Sequence, residues 1–127
     1  MADNLTNTAE NRLLDWMFGN TTTAPTAPIK VALVTANGDD ATAGTEVTGG
    51  SYSRKNMTVA AAASGSVSNS ADLLWTSMPA CTVVGAEVWD SAGTPVRWAY
   101  MPLDANRTVA AGDDFKIAAG GLVFTIS

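Results

Sequence analysis

The chain has 127 residues, of which 46% are hydrophobic and 15% are charged. That length suits one domain with its own core, and the charged fraction lies well below the roughly 25% of a typical soluble domain. The 12 acidic and 7 basic residues give a net charge of −5, which disfavours nucleic acid as a partner because phosphate binding depends on clustered Lys and Arg. No histidine is present, so a Ser-His-Asp triad, an imidazole base and an imidazole metal ligand are excluded.

The sequence carries no recognisable targeting signal. The first 20 residues lack a basic start followed by an apolar run, and no apolar stretch approaches the roughly 20 residues that cross a bilayer. Cys81 is the sole cysteine, so the chain can form no internal disulfide. We therefore expect synthesis in a cytoplasm, no membrane insertion, and a buried, inert thiol at Cys81.

An amphipathic helix is predicted near the N-terminus. Asn7 suits the N-cap position, and Glu10 follows where a capping box places its acid. The apolar side chains recur at spacings of three and four residues; they are Ala9, Leu13, Leu14, Trp16, Met17 and Phe18. Gly19 ends the helix. Because a helix of about twelve residues is marginal alone, we expect it to pack on its own β-domain or on a neighbouring subunit.

The pattern along the chain divides it into three segments. Residues 1–20 form a helical appendage, and residues 21–28 form a linker, because two prolines among Thr and Ala favour extended backbone. From Ile29 the period changes to two, and residues 29–35 are apolar on both faces, which predicts a strand covered on both sides. Residues 29–127 are assigned to a β-sandwich domain.

The rest of the sequence predicts further strands. Short alternating segments are separated by turn residues; they are 52–61, 64–70, 73–75, 82–90, 95–103, 107–110, 115–118 and 122–126. Segments 82–90 and 95–103 flank a four-residue turn and form a hairpin. No second helix is available to cross between parallel strands. We therefore predict an all-β fold, an antiparallel β-sandwich that is jelly-roll-like and has one short N-terminal α-helix.

Acidic residues are the remaining candidates for a catalytic or metal site. Asp39-Asp40 and Asp113-Asp114 each follow a glycine, where Asp is favoured because it bonds the backbone of a turn. Clustered loop carboxylates also suit calcium, but neither pair has the spacing of an EF-hand. Gly49-Gly50 is no phosphate loop because the Walker lysine is missing. We predict no enzyme activity, no metal and no cofactor.

Aromatic residues in the predicted strands allow two interpretations. Large rings dominate cores and subunit interfaces, whereas aromatic rings on one sheet face can bind sugars. Trp98 and Tyr100 share strand parity and are expected to face the same side. A core or interface role is favoured over saccharide binding, and the burial of Trp75, Trp89 and Trp98 separates the two.

Three short motifs carry a family resemblance. Leu13-Leu14-Asp15 lies in the helix, a VALxT motif spans residues 31–35, and an EVxGGxYxR motif spans residues 46–54. With these motifs the chain resembles a family of small virion proteins of tailed bacteriophages, of the tail-fibre or minor tail type. The resemblance implies a non-enzymatic structural component exposed on the virion surface, in the tail fibre or as a capsid decoration protein. A small carbohydrate-binding β-sandwich module is the alternative.

The resemblance also implies the partners. They are copies of the chain itself in a homo-oligomer, with a trimer as the expected form, and other phage virion proteins; a host-surface saccharide belongs to the alternative. The protein would be made in the host cytoplasm and localised to the virion. Low charge and the apolar helix favour contacts between subunits, for which the candidates are Leu13, Leu14, Trp16, Met17 and Phe18. We expect Leu13, Leu14 and Met17 to be substantially buried, on the chain's own sheets or on a neighbour.

Overall fold

The chain folds as antiparallel β-strands preceded by one helix. The computed structural model describes residues 5–21 and 23–126, and among them α1 spans Asn7–Met17. The strands are β1 (Lys30–Ala36), β2 (Thr45–Glu46), β3 (Lys55–Asn56), β4 (Ser66–Ser68), β5 (Leu73–Trp75), β6 (Cys81–Trp89), β7 (Arg97–Val109), β8 (Phe115–Ile117) and β9 (Val123–Thr125). Every named strand pair is antiparallel. The predicted all-β class with a single N-terminal helix is therefore confirmed. In the described part of the chain, no helix has the length and apolar character needed to cross a membrane.

Strand β1 lies inside a five-stranded sheet. The strand order is β2-β1-β6-β7, and β3 also pairs with β1. Four consecutive residues of β1, from Val31 to Val34, are at most 1% exposed. Such burial requires cover on both faces of the sheet, as the continuous apolar run predicted.

The predicted hairpin is present as β6 and β7, but β7 is longer than expected. It continues to Val109 and includes most of the segment predicted as a separate strand at 107–110. The register changes along the pair: Val83 lies opposite Arg107, whereas Gly85 lies opposite Pro102. The structure therefore has one continuous strand, β7, with an irregular stretch, where the sequence predicted two separate strands.

Two short antiparallel ribbons, β5–β8 and β4–β9, accompany the five-stranded sheet. The rings of Trp75 and Phe115 meet edge to face, with centroids 5.9 Å apart. Their ribbon and the larger sheet share one core, whose buried members are Val31, Leu33, Val47, Leu73, Trp75, Met78, Val83, Ala86, Val109, Phe115, Ile117 and Leu122.

Two local predictions are wrong. The strand predicted at 52–61 shrinks to the two residues of β3 and an isolated bridge between Val59 and Asn69. Val59 is 47% exposed, so its apolar side chain has no core to hold a longer strand in place. Cys81 is half-buried rather than buried, because it begins β6 at the margin of the core. Burial raises the pKa of its thiol.

The turn at Gly49 and Gly50 depends on backbone that glycine adopts without strain. Both residues have positive φ, +100° and +55°. A Cβ on Gly50 would lie 2.8 Å from the carbonyl oxygen of Ser77 and 2.9 Å from the nitrogen of Pro79. The turn therefore packs closely on the chain that leads from β5 to β6, and any side chain at Gly50 must displace backbone.

Replacing Gly50 should destabilise the fold measurably. We expect Gly50→Ala to lower the free energy of unfolding by about 1–3 kcal/mol, because it combines a disfavoured φ with a clash against backbone. Gly93→Ala is the matched control, since a Cβ there meets no atom within 4 Å. Urea denaturation measures both variants. Equal midpoints for the two would contradict this account of the turn.

Candidate assembly surface

The N-terminal end of the helix is fixed to β7, the edge strand of the five-stranded sheet. The N-cap is Thr6, not Asn7 as predicted: the Thr6 hydroxyl oxygen accepts a hydrogen bond from the Ala9 N–H at 3.1 Å. That hydroxyl also donates to the carbonyl oxygen of Arg97 at 2.9 Å, and the Thr6 N–H donates to the carbonyl oxygen of Trp98 at 3.1 Å. Thr6 is the N-cap in place of Asn7 because its hydroxyl can cap the helix and hydrogen-bond to β7 at the same time.

One face of the helix is turned towards the sheet. Ala9 is 4% exposed, and Leu13 is half-buried. The guanidinium of Arg12 lies 5.2 Å from the centroid of the Trp98 ring. Ala9, Leu13 and Trp16 follow at spacings of four and three residues, so they share this face. We call it the inward face.

A second apolar row on the helix points away from the sheet. Leu14 is 53% exposed, Met17 is 59% exposed and Phe18 is 75% exposed. Spacings of three and four residues place these side chains on one side of the helix, and we call them the outward stripe. The chain's own sheets therefore do not bury Leu14 and Met17, and burial on a neighbour stays a prediction. Trp16 belongs to the inward face but is itself 61% exposed.

An apolar groove runs beside the inward face. Its volume is about 310 Å³, and its walls are the inward face of α1, residues 23–25 of the linker, Trp98 and Ile126. Arg12 is the one charged residue among those that line it. The linker wall is held by Asp90, whose carboxylate accepts a hydrogen bond from the Thr26 N–H at 3.3 Å.

The hydrogen bonds around Asp90 favour the ionised form of its carboxyl group. Burial opposes its charged form, but the backbone N–H groups of Val96 and Ala92, at 2.9 and 3.2 Å, outweigh burial and lower its pKa. The indole N–H of Trp98 lies near this carboxylate and contributes to the lowered pKa, although it makes no hydrogen bond of ordinary geometry. The hairpin turn thus positions both the linker and one wall of the groove.

A buried ion pair supports the strands on which the helix rests. Glu87 on β6 and Arg97 on β7 have side chains only 2% and 7% exposed, with Oε2 and Nη1 3.4 Å apart. The Gly44 N–H donates to the same carboxylate at 2.8 Å, and Arg97 also donates to the carbonyl oxygen of Asp39. Each buried charge therefore has more than one partner, as burial requires.

The EVxGGxYxR motif forms a second network on this sheet. Arg54 donates to both carboxylate oxygens of Glu46, with a shortest distance of 2.8 Å. The hydroxyl of Tyr52 donates to Glu46 at 2.8 Å and accepts from the Leu33 N–H of β1 at 2.9 Å. Burial opposes the charge on Glu46, but these hydrogen bonds outweigh it and lower its pKa. The motif therefore has a structural role: it ties residues 46–54 to β1.

The two networks meet at Trp89. The guanidinium of Arg54 stacks over its ring at 4.3 Å, and its indole N–H donates to Glu87 at 3.3 Å. Trp98 is covered by Arg12, while Tyr100 contacts Arg97 and Asp40. Trp75 is 1% exposed. The strand aromatics thus lie in the core or under cations, and in this chain they do not form an open stacking platform.

The side chain of Asp39 bonds the backbone of its own turn as predicted, whereas that of Asp114 bonds a distant segment. Asp39 accepts hydrogen bonds from the Thr42 and Ala41 N–H groups at 2.7 and 2.9 Å, which lower its pKa. Asp114 accepts from the Ser77 N–H at 3.3 Å. Within residues 5–21 and 23–126, no three His, Cys, Asp or Glu side chains are grouped as a metal site would need.

Sequence reasoning missed Glu87 and Arg97. The sequence did offer a signal for this pair: Glu87 and Arg97 each lie inside an apolar strand of the same predicted hairpin. Charges in such strands are rarely buried unless they are paired.

An antiparallel β-fold with a firmly seated helix and an uncovered apolar row has the features of a protein that completes its packing with other subunits. Comparison with known families agrees with this class. The model of the family described as Podophage GP4 fiber I protein gp80 matches residues 4–125, and the chain therefore belongs to that family of bacteriophage fibre-type structural proteins. It is thus a structural component of the virion. No curated protein matches the chain.

Breaking the buried ion pair should cost far more than removing an exposed charge from the same strand. We expect Arg97→Ala to lower the free energy of unfolding by about 3–5 kcal/mol, because it leaves Glu87 buried and unpaired. Arg107→Ala, at an exposed position of β7, is the control and should change stability by about 0.5 kcal/mol or less. Adding Glu87→Gln to Arg97→Ala should restore part of the loss. Chemical denaturation measures the free energy of unfolding of each variant. Equal losses for Arg97→Ala and Arg107→Ala would contradict the stabilising role of the ion pair.

Proposed function

We propose that this chain is a non-enzymatic component of the tail fibre, exposed on the outside of the virion and assembled with copies of itself through α1. The observation that carries the proposal is the outward stripe. Its three side chains are more than half exposed although the helix itself is fastened to β7 by Thr6. A fixed apolar row in water is unfavourable by about 25 cal/mol per Å² of apolar surface, and contact with another subunit removes that surface from water.

Each of the three predicted segments has a different proposed role. Residues 1–20 serve as the assembly element, residues 21–28 as the linker and residues 29–127 as the β-domain; residues 1–4, Thr22 and Ser127 lie outside the described residues. The proposed contacts are Leu13, Leu14, Trp16, Met17 and Phe18. A trimer is the proposed oligomer: closed rotational symmetry of any order buries such a surface on every copy, and the resemblance to fibre-type virion proteins favours three copies. The family's description as a fibre protein favours the tail over capsid decoration.

Carbohydrate binding has less support. The Trp75 ring is buried, and one face of Trp89 and one face of Trp98 are covered by Arg54 and Arg12, respectively. Trp16 and Phe18 remain as exposed aromatic rings, but the helical repeat sets them on nearly opposite sides of the helix, so they do not form one platform.

A charge placed in the outward stripe should block assembly without unfolding the chain. We expect Leu14→Asp to destabilise the isolated protein by about 1 kcal/mol or less, because Leu14 is exposed and the new charge is opposed only weakly, by the helix dipole and by Glu10 four residues earlier. Purified particles grown with the variant should lack the chain when analysed by mass spectrometry.

The matched control is Leu74→Asp, which adds the same charge at a residue of β5 that is 46% exposed. This variant should enter particles at the wild-type level, and antibody labelling in electron microscopy should place it on the outer surface of the tail. Normal incorporation of Leu14→Asp would refute the role of α1. Absence of the wild-type chain from purified particles would refute the virion assignment itself.

A further inference from the structure

Two apolar features of this chain stay open to solvent on different sides of one helix. The outward stripe is formed by Leu14, Met17 and Phe18, and the groove runs along the face that carries Ala9, Leu13 and Trp16. At 3.6 residues per turn, the two rows are separated by roughly 120° around the helix axis. A helix that is apolar on two sides is typical of one enclosed between two layers, whereas here the sheet covers one side only.

The stripe cannot fill the groove of its own chain. Its side chains project away from the inward face, and the backbone of α1 lies between them and the groove. Thr6 holds the first turn of the helix on β7, so the helix is not free to roll. A contact between the two features therefore joins two copies of the chain.

The charges favour contact between stripe and groove over contact between two stripes. Asp15 is an exposed residue three positions before Phe18, so it borders the stripe on the helix surface, and it is in no salt bridge among the described residues. The groove carries Arg12, which is likewise in no salt bridge there. Seating a stripe in a groove brings opposite charges together, whereas pairing two stripes brings two Asp15 carboxylates together and leaves both grooves empty.

We infer that the outward stripe of one copy, led by Phe18, seats in the groove of the next copy beside Arg12, so that the chains associate head to tail. This inference rests on the proposed self-assembly and specifies its interface. The groove volume of about 310 Å³ is within the range of pockets that enclose a small molecule, which is ample for a large apolar side chain. A head-to-tail contact of this kind closes into a ring when its rotation permits, as in the proposed trimer.

The inference is tested by mixing two variants of the full-length chain. Phe18→Glu alters the stripe and leaves the groove intact. Ala24→Glu places a charge in the groove from an exposed linker residue and leaves the stripe intact. Thr8→Glu, at an exposed helix position on the side away from both the stripe and the groove, is the control. Circular dichroism and thermal melting establish that each variant is folded, and light scattering with native mass spectrometry measures the assembly.

We expect the wild type and Thr8→Glu to form the same oligomer. Each of the other two variants alone should dissociate about 30-fold more readily or more, as for the loss of a central interface residue. Their equimolar mixture should form a one-to-one heterodimer, because one intact stripe still meets one intact groove. Head-to-tail association is overturned if Ala24→Glu assembles like wild type, or if both variants are monomers and their mixture forms no heterodimer. A wild-type chain that is itself monomeric at micromolar concentration would instead refute the proposed self-assembly.

Discussion

The ion pair between Glu87 and Arg97 is the contact around which this structure is organised. Both charges are almost fully removed from water, an arrangement that is stable only when each has additional partners. Those partners come from the loop between β1 and β2: the Gly44 N–H bonds Glu87, and the Asp39 carbonyl oxygen accepts from Arg97. The pair therefore holds two strands and one loop in fixed relation.

The helix depends on the same residues. Thr6 bonds the backbone carbonyl oxygens of Arg97 and Trp98, and the Asn7 N–H bonds the carbonyl oxygen of Asp40. The N-terminus of α1 is thus seated on the strand and the loop that the ion pair brings together. Because the helix is anchored at that end, its outward stripe is presented in a defined direction, which is what a repeated contact between identical subunits requires.

The sequence was most informative where local chemistry decides the structure. The apolar run at 29–35 predicted a strand covered on both sides, and the four-residue turn predicted the β6–β7 hairpin; both are present. Gly49 and Gly50 belong to a motif whose role is structural, since Tyr52 and Arg54 both donate to Glu46 across it. The resemblance through this motif indicated the family correctly, although the motif itself marks a fold element and not a binding site.

The remaining features could not be read from local pattern because they depend on distant partners. Thr6 caps the helix in place of Asn7 because β7 offers it a second hydrogen bond. The length of β7 follows from its pairing with β6, and the exposure of Leu14 and Met17 follows from how the helix is seated. Helical periodicity alone could not distinguish an apolar row that faces the sheet from one that faces a neighbour.

The central claim is that α1 is fixed to the sheet of its own chain and that its outward stripe is covered by another copy. Oxidative footprinting with mass spectrometry reads the solvent exposure of single side chains, and it can compare the dissociated protein with intact particles. Leu74 serves as an exposed reference and Trp75 as a buried one. The account predicts that Met17 and Phe18 react readily in the dissociated chain and are protected in the particle, while Leu74 reacts in both. Equal reactivity of Met17 and Phe18 in the two states would contradict it.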